Sequence, residues 1–289
     1  WALQIAGRPP LLARHQLVLD MANADVGDYL FAKLSALLDS VPVSYLKWDH
    51  NRVLTAAGDT PRYRRQVLAS YALMARLRAA YPHVEIEACA GGGGRIDAGI
   101  VRHTHRFWTS DNLDAVSRVG IQRGYLCFMP PELMGSHVGA SPAHGTGRMQ
   151  TMRFRCDVAR PGHFGVELDV RGLGERDCAR LRQGIADYKA TRDLIHGGRT
   201  WLGEGGDGLL WQAHGAAEDL IVQFIRTTPP SRSHAAAVRL PMVRPDRHYR
   251  VTMGTDGPVE MSGAWLISHG ITAPPMRAET LVTVRVTAL

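Results

Sequence analysis

Three short apolar runs in this chain each give way to a side chain that can do chemistry, and that repetition narrows the folds open to it. Residues 43–48 lead to Asp49, residues 84–88 to Cys89, and residues 107–109 to Ser110 and Asp111. Amphipathic stretches separate them. Over 25–38, Val26, Leu30, Leu34, Leu37 and Leu38 fall on one helical face. Thr60 and Pro61 read as the N-cap and first-turn proline of a second helix. That helix shows Val67, Tyr71, Met74, Leu77 and Tyr81 at near-helical spacing, and Pro82 stops it. Short strands alternating with such helices argue a parallel α/β architecture. A (β/α)8 barrel and a doubly wound sheet both gather their functional residues just past the strand ends, so position alone leaves both open.

The remaining runs extend the pattern. Residues 17–19 are apolar and consistent with a buried strand, 96–105 and 114–123 read as helical, and 125–129 as a strand followed by a loop over 130–147. A helix over 149–158, a strand over 164–170 and a helix over 175–196 follow, with Gly197 just past the last helix. That makes about six strands between residues 17 and 170, two short of a barrel. After Gly198 the texture changes. Gly203, Gly205, Gly206 and Gly208 mark a turn region, and β-type runs at 209–211, 220–226, 236–240, 249–251 and 280–286 are separated by Pro, Gly and Asp turns with no helical period. The expected division is therefore an α/β segment over 1–199 and a small antiparallel all-β domain over 200–289.

Composition excludes more than it selects. No stretch of the 289 residues approaches the roughly 18 uncharged apolar residues of a membrane span. The net charge of +7 is spread over scattered arginines, whereas a nucleic-acid surface needs a patch or stripe. Cys89, Cys127, Cys156 and Cys178 form no C-x-x-C pair, and the 13 histidines show no ligand spacing, so neither metal nor cofactor is expected. Free thiols suit a reducing cytoplasm. The chain starts at Trp1 without an initiator Met or a leader, as a sequence entered part-way would.

The chemistry concentrates in Lys47, Asp49 and Asn51. Residues two apart in a strand share a side, so the three converge if the strand geometry persists. Lys47 is expected to hold Asp49 ionised. Asp111 follows Phe107 and Trp108 and has few cations near it, a drier setting that suits a general acid; a helix N-cap is the plain alternative for S-D-N. The run from Gly91 to Gly94 lacks the G-K-[ST] of a phosphate loop and the dinucleotide spacing. Glycines there let backbone approach a ring closely. Cys89 has no companion base that would make it a nucleophile.

Taken together, Lys47-Trp48-Asp49-His50-Asn51-Arg52, Glu87-Ala88-Cys89-Ala90-Gly91-Gly92-Gly93-Gly94-Arg95 and Trp108-Thr109-Ser110-Asp111-Asn112 resemble, in order, the K-W-D-x-N-R, E-S-C-x-G-G-G-G-R and W-T-S-D-N segments of glycoside hydrolase family 36, the α-galactosidases. The resemblance implies a partial (β/α)8 TIM barrel, about strands 3 to 8, followed by a small antiparallel β-sandwich domain. It implies a retaining α-galactosidase with Asp49 as nucleophile and Asp111 as acid/base, acting on oligosaccharides with terminal α-linked galactose. Arg14, Lys47, Asn51, Cys89, Gly91 and Gly92 would contact the sugar, without metal or cofactor. A relative acting on α-N-acetylgalactosamine or transferring galactosyl units is the near alternative, and a non-catalytic carbohydrate-binding fragment the distant one. His50 stands where the family often has Met, and Ala88 where Ser is usual. The family also carries an N-terminal β domain and two earlier barrel strands, the first bearing an acidic pair that grips galactose. The chain is accordingly expected to be a fragment, one that need not turn over alone, of a protein that could form a homo-oligomer.

Overall fold

The computed structural model describes residues 1–9, 11–52, 54, 62–232, 237–254 and 257–289, so the expected cap at Thr60 and Pro61 lies outside the described residues, as does Ala236. The chain divides into two compact units, Trp1–Asp111 and Asn112–Leu289.

The first unit is built from helix α1 (Ala24–Ser40), strand β1 (Tyr45–Asp49), helix α2 (Arg62–Ala80), strand β2 (Glu85–Cys89) and strand β3 (Arg106–Trp108). Asn23 caps α1, its side chain accepting from the Asp25 amide at 3.0 Å. Leu38 of α1, Leu73 and Leu77 of α2 and Val84 form a buried cluster, with Leu30, Leu34, Leu46 and Trp48 packed against it. Each fully buried leucine contributes about 1.5–3 kcal/mol. The strands pair in parallel, β1 with β2 from Tyr45↔Glu85 to Asp49↔Cys89, and β2 with β3 at Glu87↔Arg106 and Ala88↔Phe107. Parallel register brings the three carboxyl-terminal ends level, and with them the residues that follow.

The expected strand over 17–19 does not join this sheet. Leu17 and Leu19 are exposed, and the segment forms an antiparallel bridge at Ala2↔Leu19, with Leu3 donating to the Val18 carbonyl. The expected helix over 96–105 is a single 3-10 turn, Ile100–Arg102.

The second unit opens with helix α3 (Ala115–Leu126), strand β4 (Met134–Gly139), helix α4 (Met152–Ala159), strand β5 (His163–Glu167) and helix α5 (Glu175–Gly197), with β4 and β5 parallel. The apolar run at 125–129 ends α3 instead of forming a strand, and the strand lies within the expected loop at 130–147. An antiparallel sheet follows from β6 (Arg199–Glu204), β7 (Leu209–Ala216), β8 (Asp219–Arg226), β10 (His248–Met253), β11 (Val259–Ser262) and β13 (Thr280–Ala288), in the order β11-β10-β13-β8-β7-β6. β9 (Ala237–Val238) pairs with β12 (Ile271–Thr272), and a short helix α6 (Gly263–Ser268), unexpected from the sequence, begins at the Ser262 cap. β8 is apolar on both sides for a reason. Leu220, Val222 and Phe224 enter the core shared with Tyr249, Leu266 and Val284, while Ile225 enters one shared with Val119, Phe154 and Leu281. Among the described residues no helix is long and apolar enough to cross a membrane.

Candidate active site

β1 ends on Asp49, whose Oδ2 accepts from Asn51 Nδ2 at 2.6 Å. Asn51 Oδ1 in turn accepts the Gly91 amide at 2.9 Å, so one side chain joins the carboxylate to the loop after β2. The His50 amide continues the ladder onto the Cys89 carbonyl at 3.1 Å. Partial desolvation pushes the Asp49 carboxyl up, but hydrogen bonding from Asn51 and Cys89, helped by the nearby Gly91 and His50 amide dipoles, outweighs it. The group is held below the usual carboxylate range. The Cys89 thiol moves the other way, pushed up to about 11, chiefly by burial and further by Asp49. It stays protonated at neutral pH, an S–H donor and no nucleophile.

The glycine run packs against the segment that carries the second carboxylate. Gly91 and Gly92 have φ of 56° and 82°, the left-handed region that favours glycine. A methyl on Gly92 would lie 2.9 Å from Ser110 Cα and 3.1 Å from the Asp111 amide nitrogen, and one on Gly93 only 2.6 Å from the Thr109 carbonyl oxygen. The loop therefore lies backbone to backbone against the segment after β3. Asp111 Oδ1 accepts from the buried indole of Trp108 at 2.9 Å, and the Lys47 ammonium sits 4.9 Å from the centroid of the Trp108 ring. The helix that follows is capped by Asp114, which accepts from the Val116 and Ser117 amides, so Asp111 is not the N-cap. Beneath, the Tyr45 hydroxyl donates to the buried Glu87, while Arg106 pairs with Glu85 and lies over the Tyr45 ring.

Two sequence expectations change here. Among the described residues no ion pair within 4 Å joins Lys47 to Asp49; amide and thiol donors hold the carboxylate anionic, and the ammonium is drawn to the indole face instead. Asp111 is exposed, since the aromatic pair before it is buried but the carboxylate lies past the strand end. Of the expected residues, Asp49, Asn51, Cys89, Gly91, Gly92, Asp111 and Lys47 are linked through these contacts. Arg14 is exposed in a tight turn, and no hydrogen bond or ion pair among the described residues links it to them.

Sequence reasoning took Trp108 only as an apolar neighbour of Asp111 and passed over Arg95, although both stand inside the quoted motifs. Arg95 Nη2 reaches the Cys89 carbonyl at 3.4 Å. Burial lowers its guanidinium below the ordinary value, against the negative field of Asp49.

The family model described as Melibiase matches residues 1–198. The chain belongs to the melibiase family. Among curated relatives of this melibiase chain, the Alpha-galactosidase of Escherichia coli is 34% identical over 98% of the chain and 44% of its own length. The bifunctional alpha-galactosidase/sucrose kinase AgaSK of Mediterraneibacter gnavus is 34% identical over 96% of the chain and 30% of its length. The solved galactosidase domain of AgaSK matches all of this chain and 40% of that one, with a TM-score of 0.93 and 32% identity. A variant of the GH36 alpha-galactosidase AgaA of Geobacillus stearothermophilus, solved with raffinose, matches all of this chain and 42% of its own, at a TM-score of 0.92 and 31% identity. This melibiase chain thus spans less than half the length of these relatives, and the resemblance to glycoside hydrolase family 36 holds across all of it.

Proposed function

We propose that the chain carries the catalytic strand ends of a retaining α-galactosidase, with Asp49 as nucleophile and Asp111 as acid/base. The observation that carries this reading is the asymmetry of the two carboxylates. Asp49 is held below the usual carboxylate range, chiefly by the Asn51 amide and the Cys89 thiol, while Asp111 is exposed with the Trp108 indole N–H on it. An Asp49 oxygen would attack the anomeric carbon as the glycosidic C–O bond breaks, and the Asp111 proton would pass to the leaving oxygen. Water would then attack the same carbon, giving its proton to Asp111 and releasing Asp49.

Lys47 and Arg14 would supply fixed donors to sugar hydroxyls, and Cys89 its thiol. Asn51 spends its carbonyl on Gly91 and one amide hydrogen on Asp49, leaving the other hydrogen for a hydroxyl. Gly91 and Gly92 would offer bare backbone beside the ring. The substrate class is α-galactosyl oligosaccharide, as in the raffinose and stachyose bound by AgaA variants. Around this site we assign the five parallel strands to consecutive strands of a (β/α)8 barrel over 1–199, one fewer than the six of strands 3 to 8, and 200–289 to a β-sandwich. Four free thiols suit a cytoplasmic setting.

Trapping with a fluorinated galactosyl reagent tests the assignment. Peptide mapping should find the label on Asp49, and a label on any other residue overturns it.

A further inference from the structure

Arg14 and His15 are the two central residues of a two-residue turn. Ala13 and Gln16 close it through reciprocal backbone hydrogen bonds, the Ala13 amide donating at 3.4 Å and the Gln16 amide at 3.0 Å. Both central residues have positive φ, 53° at Arg14 and 58° at His15. That is the sign pattern of a type I′ turn, in which Asn-Gly or Gly-Gly is the usual pair. A long cation followed by an imidazole is an unfavourable choice for such a turn, so something outside it must hold the backbone there.

The buried guanidinium of Arg52 is that holder. Its Nε donates to the Gln16 carbonyl at 3.4 Å, and its Nη2 donates to the Leu11 carbonyl. The two bonds grip the turn's stem on one flank and at its closing residue. Arg52 lies three residues beyond Asp49, a reach of at most about 11 Å of chain. The strand end that presents Asp49 and Asn51 therefore also fixes the stem of the Arg14–His15 turn. At the tip, the Arg14 and His15 side chains are exposed, and neither makes a hydrogen bond or ion pair among the described residues. Strain held by an outside clamp, with unengaged donors at the tip, is the arrangement expected of a ligand-presenting turn.

We propose that Arg52 is a positioning residue: it holds the Arg14–His15 turn in its left-handed conformation, so that both side chains serve as hydrogen-bond donors to hydroxyls of the bound α-galactoside. His15 thereby joins Arg14 as a substrate contact. This rests on the glycosidase reading given above for Asp49 and Asp111.

Two measurements on the full gene product test it. The first is hydrogen exchange at the Ala13 and Gln16 amides, which needs no turnover. Arg52→Gln should speed both by at least about tenfold, the change produced by about 1.4 kcal/mol, while Arg52→Lys, which keeps a long charged donor group, should speed them less. Unchanged exchange in Arg52→Gln overturns the clamp. The second is a double-mutant cycle on KM for a nitrophenyl α-galactoside. Arg14→Ala and Arg52→Gln should each raise KM by about tenfold with a smaller change in kcat, and the double variant should add no more than about twofold to Arg14→Ala. Effects that multiply overturn the link between Arg52 and Arg14, and a KM untouched by His15→Ala removes His15 from the contacts. A wild-type protein that leaves the galactoside intact overturns the substrate half together with the glycosidase reading, while the exchange result still decides the clamp.

Discussion

The ends of β1 to β3 and the antiparallel sheet of β6 to β13 are held by different forces. β1 is five residues long and alternates between exposed and half-buried positions, and past its end the chain is tied by Asn51, the Gly91 amide and the Cys89 carbonyl. β8 is eight residues long and buried along all but its first, with apolar side chains entering a core on either face. Directional bonds fix where a few atoms point; apolar burial fixes that the region folds at all. Substitutions in the first region should therefore change turnover more than stability, and those in the second the reverse.

The largest expected effect is at Asp49. Asp49→Asn should lower kcat on a nitrophenyl α-galactoside by at least about 10⁴-fold, while the melting temperature measured alongside barely moves. Asp111→Ala should cost about 10²–10⁴-fold on an oligosaccharide and much less on the nitrophenyl substrate, whose leaving group needs little protonation. Next is Phe224→Ala, which should lose about 3–5 kcal/mol in urea titration and leave KM of the folded fraction intact. A smaller loss in Phe224→Ala than in Asp49→Asn would break the contrast between the two regions.

Gly92→Ala sharpens it, because strain and chemistry meet there. The left-handed φ and the contact with Ser110 predict about 1–3 kcal/mol of destabilisation, accompanied by a fall in kcat as the Asp111 backbone is displaced. The fifth effect lies in the antiparallel sheet. His214 on β7 is fully buried, its Nδ1 3.0 Å from Thr200 Oγ1, and burial lowers its pKa from 6.5 to about 3. Since the folded value is the depressed one, the unfolded chain binds the proton first. Stability is intact above pH 6.5 and declines as pH falls toward 3, by at most about 1.4 kcal/mol per pH unit from this group. Urea titrations at stepped pH should show that slope and find it reduced in His214→Gln. The smallest effect is chemical. At pH 8 only about one in a thousand Cys89 side chains is a thiolate, so iodoacetamide should modify the exposed Cys127 well before Cys89.

Much of the architecture could be read from periodicity. Helices expected over 25–38 and 175–196 are found at Ala24–Ser40 and Glu175–Gly197. β4 escaped because Met-Gly-Ser-His-Val-Gly carries one β-branched residue; it is a strand because it packs, with Gly139 so close to Leu113 that a methyl would lie 2.7 Å from Leu113 Cβ. The apolar 125–129 run looked like a strand because a helix end and a strand share composition over five residues. In the candidate site the motifs were legible and the bonding was not. K-x-D suggests an ion pair, but whether a lysine reaches its neighbour or an indole depends on β3, which is distant in sequence. The Arg14–His15 turn contains no Gly or Asn to announce it.

The glycine seam between the loop after β2 and the segment after β3 has one more consequence. Where two stretches of main chain touch with nothing projecting between them, the gap has no adjustable part. No trimming can widen it, and any addition forces it apart. A lineage or an engineer seeking a cleft for a bulkier sugar would have to work beside the seam, at positions such as the exposed His50, because the seam accepts only one residue type.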